Sequence, residues 1–112
     1  MSHRILEKLE LQKMASGHLC LELTEAVAFE DFPKFADEFL STIGATVLHR
    51  LESFDLQIWD ILLSNCEMRL VFEDFPVMVS IRSTSDEGDQ ILRKLRDKLK
   101  SMSTDGRSDR MA

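Results

Sequence analysis

Two alternating runs meet at Ser64-Asn65, and their pairing constrains this chain more than any other feature. Residues 56–63 and 66–75 both alternate apolar and polar positions, the period of a β-strand. An asparagine between such runs tolerates left-handed backbone and marks a tight hairpin. A two-residue loop places Leu63 opposite Cys66, Ile61 opposite Met68, Trp59 opposite Leu70 and Gln57 opposite Phe72. One face then carries Trp59, Ile61, Leu63, Cys66, Met68, Leu70 and Phe72. The other sets Asp60 against Arg69, an opposite-charge pair suited to a wetter surface. A one-residue slip destroys this sorting, so the register is predicted along with the strands. Ile58, Leu62 and Val71 leave the second face partly apolar. Either a terminal segment covers it, or it is a partner surface.

The flanking elements follow from similar patterns. His18–Thr24 alternates, with Leu19, Leu21 and Leu23 on one side. Phe32, Phe35, Ala36, Phe39, Leu40 and Ile43 recur at helical spacing, with Asp31 as the expected N-cap, Pro33 in the first turn and Gly44 as the C-terminal stop. Residues 45–53 read as a strand, but Val47, Leu48 and Leu51 do not share a parity. Phe75-Pro76 interrupts the hairpin's second run, and Val77–Arg82 resumes it with Val77, Val79 and Ile81 inward. After STSDEGD, where Ser85 or Asp86 is the candidate cap, Leu92, Leu95 and Leu99 mark a second helix. The order is β-α-β-β-β-α. The predicted fold is α+β, a largely antiparallel four-stranded sheet with two helices packed on one face. It becomes a mixed sheet if the first helix is a crossover between parallel strands. Residues 1–16 form an N-terminal arm or an extra strand, 17–102 the single domain, and 103–112 a disordered tail.

Size and charge limit the classes of function. A chain of 112 residues suits one domain. Its formal charge of -6 disfavours non-specific contact with nucleic acid or anionic membranes. No run is long enough to span a membrane, and Glu7, Lys8 and Glu10 break up any leader-like core at the start. With two cysteines, Cys20 and Cys66, read as free thiols, the expected location is cytoplasmic.

Chemistry-bearing residues are scattered. Glu52, Asp55, Asp60, Glu73 and Asp74 lie near strand ends, where converging oxygens can hold a hard cation or exchange protons. A solvated acidic face explains them more simply, and Asp60 already has Arg69. His18 and Cys20 are one weak ligand pair, and His49 adds no zinc spacing. FEDFP occurs at 29–33 and 72–76, but one copy opens a helix and the other ends a strand. Trp59 falls on the core face. Arg93, Lys94, Arg96, Lys98 and Lys100 make the last helix basic. No catalytic residue, cofactor site or metal site is assigned.

The segment DLQIWDILLSNCEMRLVFEDF, from Asp55 through Phe75, resembles a small gammaproteobacterial family of uncharacterised single-domain proteins. The likeness rests on Asp55, Trp59, Leu70 and Glu73-Asp74-Phe75, and it implies no activity or functional residues. The favoured function is a non-enzymatic protein-interaction domain, with itself among the candidate partners, using Ile58, Leu62, Val71, Arg69 and Asp60. One alternative is a small-ligand or metal-binding protein using the carboxylates Glu52, Asp55, Glu73 and Asp74. The other is a regulatory or nucleic-acid contact through the basic helix.

Overall fold

The computed structural model describes residues 6–74 and 76–111, with side chains through residue 102. Six strands among them form one sheet: β1 (Glu10–Lys13), β2 (Leu19–Thr24), β3 (Thr46–Glu52), β4 (Leu56–Leu63), β5 (Cys66–Glu73) and β6 (Met78–Ser83). Their spatial order is β1-β2-β6-β5-β4-β3, and every neighbouring pair is antiparallel. Helix α1 (Phe32–Ile43) follows β2, and α2 (Asp86–Met111) follows β6. No helix is long and apolar enough to cross a membrane among the described residues.

The expected four-stranded sheet is thus corrected to six strands. The chain turns back around Pro76, so residues 78–83 form a strand of their own, with Met78 opposite Glu73. A proline breaks a ladder more cheaply in a turn than within a strand. Part of the N-terminal segment adds an edge strand, with Glu10 opposite Glu22 and Lys13 opposite Leu19. The mixed-sheet alternative also gives way. β2 and β3 run in the same direction, but β6, β5 and β4 lie between them, so no parallel pair forms.

The hairpin pairs as its pattern predicts, from Leu63 opposite Cys66 to Gln57 opposite Phe72. Ser64 and Asn65 both adopt positive φ, 53° and 64°, which matches the twist of the two strands. β3 explains its own mixed parity: its register shifts between Val47 and His49, a bulge that takes up one residue.

One core cluster holds the inward residues of the sheet and the apolar stripes of both helices. Phe32 and Phe72 are fully buried in it, and Trp59 meets Phe32 edge-on at 5.5 Å. Leu6 and Leu9 join this core from the N-terminal segment. The buried Gln57 Nε2 donates to the Phe29 carbonyl at 3.1 Å, holding the chain where it enters α1. On the same side, Asp37 of α1 receives Arg50, whose guanidinium lies 4.2 Å over Trp59.

Asp31 does not cap α1 as expected. It sits in a 3-10 turn, Phe29–Asp31, with right-handed backbone and no side-chain capping bond. Ser85 does cap α2, accepting the Gly88 N–H at 3.0 Å. The tail expected to be disordered, 103–112, lies outside the residues whose side chains are described.

Gly44 ends α1 at φ 79°, with its N–H on the Leu40 and Ser41 carbonyls and open space where a Cβ would lie. The cost of a side chain there is therefore conformational. Gly44→Ala should lower stability by about 1–2 kcal/mol. Urea unfolding, with an unchanged denaturant slope, measures it.

Candidate functional site

Both helices bury their apolar stripes in the inner-face core, so neither helix covers the opposite sheet face, which only the β1–β2 turn borders among the described residues. The registers arrange that face in rows across the strands. One row is polar: Arg82 on β6, Arg69 on β5, Asp60 on β4 and His49 on β3. The next is largely apolar: Ser80, Val71, Ile58 and Leu51. Leu62, with Glu67 and Thr46 beside it, flanks the polar row on its other side. Of these apolar residues Ile58 and Leu62 are half-buried, and Leu51 is 53% exposed. Phe54, in the β3–β4 turn, is 91% exposed.

Ion pairs stitch this face together. Asp60 lies 3.3 Å from Arg69 and 3.9 Å from His49. Arg82 Nη2 donates to Glu73 Oε2 at 2.9 Å. Arg82 sits opposite Arg69, while Glu73 lies four residues further along β5. The Arg82 side chain must therefore cross the Val71–Ser80 row to reach it. This roof accounts for the 2% exposure of Val71, a buried residue outside the main core cluster. The crossing also leaves the buried Arg82 Nε without a hydrogen-bond partner. Arg69 and Arg82, like charges directly opposed, each lean on a carboxylate, which offsets their repulsion.

A hollow of about 360 Å³ opens beside them. Ile58, Val71, Arg69 and Arg82 line it together with Met14, Ser16 and His18 from the β1–β2 turn. The structure thus brings Ile58, Val71 and Arg69 to one depression, with Leu62 and Asp60 on the same face.

The strand-end carboxylates converge only in part, and no three of them come within ligand distance among the described residues. Asp55, Glu73 and Asp74 border a shallow depression with Leu56 and Pro76. Glu73 is committed to Arg82, Asp60 to Arg69, and Glu52 lies on the edge strand opposite Gln57. The cysteines are free and occupy opposite faces: Cys66 in the core, Cys20 in the row of Arg82. Burial pushes the Cys20 thiol up, which keeps it protonated and a poor nucleophile.

A second grouping stands at the end of the sheet, where β2 begins and β6 leads into α2. His18 Nδ1 lies 3.1 Å from Asp89 Oδ2 and 3.9 Å from Asp86 Oδ1. Asp89 Oδ1 accepts the Leu19 N–H at 3.0 Å. Burial alone would raise the Asp89 carboxyl, but Leu19 N–H, His18 and the Ser83 hydroxyl outweigh it and hold it below its ordinary value. In the sequence, His18 pairs only with Cys20, and Asp86 stands as a candidate helix cap. Asp86 and Asp89 share one side of a helical turn, but His18 lies 71 positions from Asp89, so only the fold reveals the grouping.

The family model described as "Protein of unknown function (DUF3630)" matches residues 9–99, and the chain belongs to that family. No curated protein and no solved structure matches it.

Asp89 ionises more readily in the folded chain than in the unfolded one. Its contribution to stability is present above the unfolded carboxylate value, about 4, and is lost as pH falls through the lower folded value. Thermal unfolding across acidic pH should show a shallower loss of Tm for Asp89→Asn than for the wild type. Parallel curves would contradict this.

Proposed function

We propose that this member of the DUF3630 family is a non-enzymatic interaction domain that pairs with a second copy of itself through the uncovered sheet face. The single observation behind this reading is that both helices join the inner-face core, while Ile58, Leu62 and Leu51 stay accessible on the other side. Apolar area left in this way usually marks a contact surface.

Size is adequate. Six strands about 4.8 Å apart and about six residues long at about 3.4 Å each give a face on the order of 600 Å² in projection. A stable interface takes about 800 Å² of accessible surface from each partner. Charge also fits a second copy. Arg69, Arg82 and His49 share the face with Asp60, Glu67 and Glu73, so a two-fold contact can set acids against bases. A uniformly acidic or basic face would repel its copy. The exposed edge strand β3 is a poorer docking element, because its bulge and its charged His49, Arg50 and Glu52 blunt edge-to-edge pairing. The contact therefore closes as a dimer instead of propagating as a filament. Two thiols on opposite faces, both free, support a cytoplasmic setting.

Light scattering over a concentration series should find a wild-type dimer and a monomer for Ile58→Glu/Leu62→Glu. Circular dichroism and Tm would establish that the variant is folded. A wild type that stays monomeric throughout, or a folded variant that still dimerises, would overturn the proposal.

A further inference from the structure

We infer that His18, Asp86 and Asp89 form a binding site for a divalent transition-metal ion such as Zn²⁺. One ligand atom from each residue lies within 4.8 Å of the other two, the one such trio among the described residues. Nitrogen and oxygen ligands sit about 2.0–2.2 Å from zinc, which puts neighbouring ligand atoms roughly 3–4 Å apart. The His18 Nδ1 distances of 3.1 and 3.9 Å already meet that requirement. Little backbone movement is needed to close the site.

The three residues reach this point for independent reasons. Asp86 and Asp89 are three apart on the first turn of α2, so their carboxylates share a side. His18 directly precedes β2, whose pairing with β6 brings it to the start of that helix. The site also has an outer support. The Leu19 N–H holds Asp89 Oδ1, which orients Oδ2 towards His18 and an ion between them. Asp86 has a fully exposed side chain and can swing to complete the set.

Charge decides in favour of a cation. Two carboxylates contribute two negative charges, and the helix N-terminus opposes them with only about half a positive charge. The imidazole selects borderline ions over Ca²⁺ or Mg²⁺, which prefer all-oxygen shells. Water fills the remaining positions. Bound metal would tie the β1–β2 turn to α2 beside the hollow on the open face, because His18 belongs to both.

A simple His18–Asp89 clamp is the competing account, and Asp86 separates the two. The clamp has no need of it, whereas the metal site does. Calorimetric titration of the untagged chain should show one Zn²⁺ per chain, with Ca²⁺ at least tenfold weaker. Asp86→Asn should weaken Zn²⁺ by about tenfold or more, with the metal-free Tm unchanged. His49→Gln should leave the affinity as it is. Absent Zn²⁺ binding, wild-type affinity in Asp86→Asn, or loss of binding in His49→Gln would each overturn the site.

Discussion

The β4–β5 hairpin register is the constraint on which the rest depends. It places Trp59, Ile61, Leu63, Cys66, Met68, Leu70 and Phe72 on one side. That side offers enough apolar surface for the stripes of both helices. α1 follows β2 and packs at the far-edge strand β3, and α2 lies against β1, β2, β6 and β5. Each helix has one apolar stripe, and each spends it on the same face. Neither helix is left to cover the other. The bare face is thus a consequence of where the core formed.

That face is adapted to water without being wholly polar. The Arg82–Glu73 bridge passes over Val71, and Asp60 holds Arg69. Pairs of this kind contribute little net stability, since their Coulomb gain in water is small. Their use here is arrangement. The Asp60–Arg69 pair lies along its row and the Arg82–Glu73 bridge crosses the next, so that Ile58 and Leu62 form the accessible apolar points between fixed charges. An interface built on such a surface gains specificity from the charges and affinity from the apolar points.

The hairpin was legible because two signals agreed, a period-two pattern on both strands and an asparagine-containing turn. The inward residues of β6 and the Gly44 stop of α1 were legible for the same kind of reason. β3 was legible as a strand, but its faces were not, because the bulge between Val47 and His49 shifts its parity midway. β1 has four residues, too few to show a period, and it pairs through local backbone contacts. Asp31 misled because the chain enters α1 through a 3-10 turn, so the helix needs no side-chain cap at that point. Of the candidate surface, Ile58, Val71 and Arg69 do border one hollow. The meeting of His18 with Asp86 and Asp89 depends on strand order across the whole sheet, which no local pattern encodes.

The open face is the proposed contact surface. Mixing isotope-labelled and unlabelled chains and recording intermolecular NOEs tests it most directly. Contacts are expected from the methyl groups of Ile58, Leu62 and Leu51 on one chain to the same face of the other. Intermolecular contacts arising instead from α2, or from β3 edge amides with Ile58 and Leu62 silent, would contradict it.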